Sequence, residues 1–210
     1  MMYNRYIALK NAKGFFTRSL AAGLLVLAFT GCSCTDNRKP DADKTNQNKD
    51  EVADAGVIPV KESVQAAVAH IQSLKDSHVK GKAVFTKVPE GIKVVVDIDG
   101  LSPGEHGFHV HECGICEGDG TSACAHFNPT KSKHGGPDSP ERHVGDLGNI
   151  LADEQGHGHY ERVDKLISLE GENSILGRSV IVHAGRDDFT SQPSGNSGAR
   201  IGCGIIEAVP

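Results

Sequence analysis

Short runs of β-branched and small apolar residues, parted by turn residues, set the limits on what this chain can fold into. AAVAHIQ (66–72), GKAVFTKV (81–88) and IKVVVDID (92–99) follow one another at meander spacing, with Pro89-Glu90-Gly91 as the turn between the last two. HGFHVHE (106–112), KLISL (165–169), RSVIVHA (178–184) and ARIGCGIIEAV (199–209) complete the set. Helical periodicity is weak throughout, so the chain reads as one antiparallel all-β domain over 63–210, a sandwich or barrel without internal repeats. Trp is absent, and beyond residue 31 the only aromatics are Phe85, Phe108, Phe127, Tyr160 and Phe189. The core is therefore built mainly from Val, Ile, Leu and Ala. Two long connections, roughly 113–142 and 184–199, are rich in Gly, Pro and polar residues. Loops of that length in a compact domain usually carry function.

The first 62 residues read differently. Arg5, Lys10, Lys13 and Arg18 lie where no acid does, and Leu20 to Thr30 is an apolar run of 11 residues. A membrane-spanning helix needs about 20. The segment 1–31 reads instead as a secretory signal peptide. Its end, Phe29-Thr30-Gly31-Cys32, resembles the bacterial lipobox, in which the cysteine after a small residue is acylated. The expectation is a lipidated Cys32; Cys34 fits the pattern less well, and an ordinary signal peptide with an incidental cysteine is the alternative. Residues 32–62 are polar, charged and without apolar periodicity, so they read as the anchor and a flexible tether. The expected location is the cell envelope, with the domain lipid-anchored to a bacterial membrane and facing the periplasm or the cell surface.

Charge narrows the partners. The chain has 22 Lys+Arg against 27 Asp+Glu; without the four basic residues of 1–31 the balance is 18 against 27, or −9. That acidity argues against nucleic acid, whose binding rests on basic patches.

The histidines carry the chemistry. In His109-Val110-His111, on an expected strand, positions i and i+2 share a face, so two imidazoles can reach one ion while Val110 joins the core. His157-Gly158-His159 has the same spacing but lies in a glycine-flanked turn and is assigned to the surface. The first pair has company: His126, His134 and His143 lie along the long loop, Asp146 follows three residues later, and His183 ends a later strand. Three His and one carboxylate suit a closed tetrahedral zinc site. An imidazole-rich second centre suits copper.

The segments GFHVHE, HFNP, KHGGP, ERHVGDLGNI, GRSVIVHAG and GARIGCGII closely resemble the copper/zinc superoxide dismutase family over about residues 64–210. The resemblance implies an eight-stranded Greek-key β-barrel, a flattened sandwich with long metal-binding and active-site loops. It implies one copper per chain on His109, His111, His126 and His183. It also implies one zinc on His126, His134, His143 and Asp146, with His126 as the bridging imidazolate and proton carrier. Asp187 resembles the carboxylate that links ligands of the two metals, and Arg200 the arginine that guides an anionic substrate. The implied reaction is dismutation of superoxide to dioxygen and hydrogen peroxide, here protecting the envelope. The rival reading is a non-catalytic copper/zinc-binding lipoprotein for storage or delivery, which would not need Arg200. The loop AGRDDFTSQPSGNSG lacks the charged stretch of eukaryotic members and looks like bacterial ones.

Six cysteines in an exported chain fit an oxidising compartment. With Cys32 acylated, the four in the domain allow three pairings. Cys116 occupies the position resembling the bacterial cysteine, and the expected bond is Cys116–Cys203, with the other pairings left open by the sequence. That bond closes the longer loop, and Cys113–Cys124 is then the second pair. CGIC at 113–116 lacks the βαβ context of a redox motif. The sequence leaves monomer and homodimer both open.

Overall fold

The computed structural model describes residues 63–210; the signal-peptide, Cys32 and tether readings over 1–62 lie outside the described residues. Eight strands follow in order: β1 Ala66–Ser73, β2 Lys80–Val88, β3 Gly91–Asp99, β4 Gly104–His111, β5 Asp146–Ala152, β6 Gly158–Asp164, β7 Ser179–His183 and β8 Arg200–Ala208. They close into an antiparallel barrel in the spatial order β1-β2-β3-β6-β5-β4-β7-β8, so the chain crosses over between β3 and β4 and returns between β6 and β7. Closure leaves no unpaired edge.

Alternation sets the core. In β3, Ile92, Val94, Val96 and Ile98 are buried while Asp97 and Asp99 are exposed, the period-2 pattern of a half-buried strand. Phe85, Phe108, Ile150 and Ile206 are fully enclosed. β4 departs from alternation and is buried on both faces. Phe108 and Val110 join the core cluster, and the opposite face carries His109 and His111.

Two strands escaped the sequence reading. β5 (DLGNILA) is broken by Gly148 at φ +95°, and β6 (GHYERVD) is mostly polar. Conversely, KLISL is not a strand. Its Ile167 and Leu169 are buried, but Asp164 Oδ1 accepts the backbone N–H groups of Leu166 and Ile167 at 2.8 and 3.1 Å and turns the chain away from the ladder. His157 and His159 point to solvent as expected, yet His159 belongs to β6, opposite Asp97 of β3, rather than to a turn.

Between β4 and β5 the chain makes its longest excursion, with a single 3₁₀ turn at Thr121–Ala123. Two disulfides pin it: Cys113–Cys124 across its base and Cys116–Cys203 to β8, with Cα–Cα distances of 5.4 and 5.7 Å. The second spans 87 residues of sequence. A closed loop of that size restricts the unfolded chain by about 4–5 kcal/mol in the chain-entropy picture.

Candidate metal centre

Strand register places the first residues of the site. Across β4 and β5, His109 faces Asp146; across β7 and β8, His183 faces Arg200. Both pairings sit at irregularities in the ladder, between Gly107 and His109 and between Val182 and His183, where the backbone can re-aim a side chain. An isolated bridge joins His111 to His126, and the rest of the excursion brings His134 and His143 over the same face.

Two groups result, both buried. His109, His111, His126 and His183 form one; His126, His134, His143 and Asp146 form the other, each with ligand-type atoms within 4.8 Å of one another. Six ring nitrogens in these groups have no hydrogen-bond partner: His109 Nδ1, His111 Nε2, His126 Nε2, His134 Nδ1, His143 Nδ1 and His183 Nε2. Unpaired buried polar atoms are costly and rare. Here they are the atoms that face one another, which is the arrangement two metal ions would satisfy. His126 turns Nε2 toward the first group, while its Nδ1 lies 2.8 Å from Asp146 Oδ1. That same oxygen is 3.1 Å from His134 Nδ1 and 3.2 Å from His143 Nδ1.

Beside His126 Nδ1, four more ring nitrogens are held. Asp187 lies between the groups, its Oδ2 2.8 Å from His109 Nε2 and its Oδ1 2.9 Å from His134 Nε2. His111 Nδ1 is 3.0 Å from the Cys124 carbonyl oxygen, and His183 Nδ1 3.1 Å from that of Gly198. Asp146 Oδ2 accepts the backbone N–H groups of Gly135 and His143 at 3.1 and 2.8 Å. Such contacts fix ring tautomer and direction.

The electrostatics divide along the same line. Burial, then His109, pushes His126 down to about 4 and His183 to about 3. His111 is also well below the ordinary value, through burial and then His126. These rings are neutral at pH 7, with lone pairs free to bind a metal. For His134, burial opposes charge, but Asp146 and Asp187 on either side outweigh it and raise the ring to about 9. Asp146 and Asp187 themselves stay ionised despite burial, held well below the carboxylate range by their histidines. The second group thus attracts positive charge, which a divalent cation supplies.

Several contributors carry no motif. Gln192 grips the His134 backbone, its Nε2 donating to the carbonyl at 3.0 Å and its Oε1 accepting the N–H at 2.9 Å. Arg142 donates through Nη1 to the carbonyls of His143, Val144 and Asp146, and through Nη2 to Asp164 at 2.6 Å. His106, fully buried, places Nδ1 2.8 Å from the His183 carbonyl oxygen. Gly195 is obligatory: a Cβ there would lie 1.8 Å from Asp187 Oδ1. A cleft of about 400 Å³ opens over the first group, lined among others by His111, His126, His183 and Arg200. Arg200 donates to the carbonyls of Gly120 and Cys124.

Comparison with known proteins agrees with this geometry. The family model described as copper/zinc superoxide dismutase (SODC) matches residues 79–206. The chain is 51% identical over 135 residues to "Superoxide dismutase [Cu-Zn]" of Paramecium bursaria Chlorella virus 1, covering 61% of this chain and 72% of that protein. It is 46% identical over 140 residues to "Superoxide dismutase [Cu-Zn]" of Yarrowia lipolytica, covering 62% and 91%. The crystal structure of the clock protein EA4 superposes with a TM-score of 0.66 at 39% identity, covering 70% of this chain and 97% of that one. The chain belongs to the copper/zinc superoxide dismutase family, which uses copper and zinc, and its reaction is the dismutation of superoxide.

Proposed function

We propose that His109, His111, His126 and His183 hold copper, that His126, His134, His143 and Asp146 hold zinc, and that the enzyme works in the cell envelope. The observation that carries the metal assignment is the set of six unpartnered buried ring nitrogens, which lie in two residue groups that have His126 in common. Copper bound there supplies the one-electron couple, and zinc a fixed positive charge, that turning two superoxide anions and two protons into dioxygen and hydrogen peroxide requires.

The residues do the rest. His126 Nδ1 and Asp146 lie 2.8 Å apart on the zinc side, so the ring turns Nε2 toward the cleft, where a proton would be held and handed on. Asp187 orients His109 and His134 together, tying the two groups into one rigid unit. Arg200 has five N–H donors, of which the Gly120 and Cys124 carbonyls engage two. Its charge and remaining donors face the approach of an anion that the −9 balance of the chain beyond residue 31 would otherwise repel. Low-dielectric cleft walls focus such a field.

The test is reconstitution of metal-stripped protein with copper and zinc, followed by elemental analysis and direct measurement of superoxide decay. One copper and one zinc per chain are expected. Only one tight metal, or full loading without turnover, would sink the assignment, the latter in favour of storage. His126→Ala is expected to abolish most turnover. The envelope reading rests on the basic Arg5–Arg18 segment, the apolar run Leu20–Thr30 and the lipobox ending in Cys32. Several acyl chains hold firmly where one does not. Cys32→Ala should therefore release the protein from membranes with its activity intact; continued sedimentation with membranes after high-salt washing would refute the anchor.

A further inference from the structure

Cys124 has φ 67° and ψ −152°, a backbone conformation essentially reserved for glycine. Its carbonyl oxygen serves two site residues at once: His111 Nδ1 lies 3.0 Å away and Arg200 Nη2 donates to it at 2.6 Å. One strained peptide therefore aims both a copper-group imidazole and the anion-facing guanidinium. A conformation of this kind persists only where its surroundings over-determine it.

The covalent restraint is the disulfide to Cys113, beside a hydrogen bond from the Cys124 N–H to the Thr121 carbonyl at 3.1 Å. Cys113 is itself fixed to the barrel, because its carbonyl accepts a hydrogen bond from the buried Ser179 hydroxyl of β7 at 2.8 Å. Between the two cysteines the chain forms a small antiparallel ladder. Glu112 N–H donates to the Ala125 carbonyl at 2.9 Å, and Cys113 N–H to that of Ala123 at 3.1 Å. The Cys116–Cys203 bond ties the far side of the same segment to β8. It does not itself reach the Cys124 peptide, eight residues further on.

We propose that the Cys113–Cys124 disulfide is a positioning device for the site, holding the Cys124 backbone so that a single carbonyl orients His111 and Arg200 together. The inference rests on the metal assignment above and goes beyond it, because it gives the second disulfide a role in substrate capture as well as in folding. Cys113 and Cys124 belong to neither histidine group; they act through the carbonyl.

Glycine separates this role from simple crosslinking, since it adopts the Cys124 conformation without the Cβ penalty. The experiment compares the full chain with Cys113→Ala/Cys124→Ala and Cys113→Ala/Cys124→Gly, each loaded with copper and zinc. Two signals are read: the Cu(II) electron paramagnetic resonance spectrum, which reports His111, and the affinity for azide, which reports Arg200. The alanine pair should shift the spectrum and weaken azide about tenfold, the lower end of what one charge-assisted hydrogen bond is worth. The glycine pair should return both toward the parent. If the alanine pair fails to fold while the glycine pair folds with parental signals, the proposal stands. Parental signals in the alanine pair would overturn it. So would a glycine pair as impaired as the alanine pair, or failure of both to fold, which would make the bond a folding staple alone. The parent spectrum, recorded first, tests the ligand assignment separately; absence of a copper signal there would remove both.

Discussion

Asn149 and Asp187 hold each other by two reciprocal hydrogen bonds. Asn149 Nδ2 donates to the Asp187 carbonyl at 2.9 Å, and the Asp187 N–H donates to Asn149 Oδ1 at 2.8 Å. A β5 side chain thus fixes the backbone of the residue whose carboxylate spans both histidine groups. Contacts one step beyond a metal's ligands typically matter 10- to 100-fold in affinity. Asp187→Asn is expected to weaken zinc within that range, and Asn149→Ala by about tenfold, at its lower end. Competition with a chelator measures both; unchanged affinity in Asp187→Asn would contradict the linking role.

The buried pair Arg142–Asp164 concerns stability. Asp164 is fully enclosed and accepts from Arg142 at 2.6 Å, while Arg142 binds three carbonyls of the stretch that carries His143 and Asp146. Removing one member of a buried ion pair strands the other, at a cost of about 3–5 kcal/mol. Asp164→Ala should lower stability by that amount in denaturant unfolding of metal-free protein, and should slow zinc uptake. A loss near zero would show that the pair is exposed to water in solution.

Arg200 is tested by charge and by shape. Arg200→Glu should reduce the second-order rate with superoxide by about tenfold or more, within the 10–10³ range that steering supplies. Copper and zinc contents should be unchanged. Arg200→Lys keeps the charge but not the fork that engages two carbonyls, so it should lose less. Stopped-flow rates on metal-matched proteins decide; equal rates for Arg200→Glu and the parent would make the residue structural.

His157 serves as the control and gives a pH signature. Its ring lies 3.0 Å from Asp99 Oδ1 in solvent, and that hydrogen bond raises its pKa above the ordinary 6.5. A raised value means that the protonated ring stabilises the fold below about pH 6.5. The gain fades as the pH rises through the folded-state value. Nuclear magnetic resonance titration should show a midpoint above 6.5 that returns toward it in Asp99→Asn. His157→Ala should leave both metals in place; loss of either would mean that the surface assignment is wrong.

The two histidine groups were legible because imidazoles at i and i+2 on a strand, and His and Asp along a Gly-rich loop, are costly patterns to keep without a metal. Their supports were not. Gln192, Asn149 and Arg142 act on backbone carbonyls or amides, which every residue offers, so no spacing marks the pairing. Gln192 meets His134 across 58 positions. Among the strands, β6 was hidden because only its ends are fully buried, and alternation read from hydropathy fails when Glu161 and Arg162 occupy its middle. KLISL misled for the opposite reason: Ile167 and Leu169 are core residues, but they enter the core from a loop capped by Asp164.

Barrel closure through β1 and β8 has a consequence for attachment. Ala67 lies opposite Ala208, so the two ends of the described domain emerge side by side. Arg200 stands at the other end of β8, and eight strand residues at about 3.3 Å each set the separation at roughly 26 Å. Anything joined at either terminus, whether a leash, a fusion partner or a solid support, enters the domain a barrel's length from the guanidinium, so immobilised preparations should keep their access to substrate.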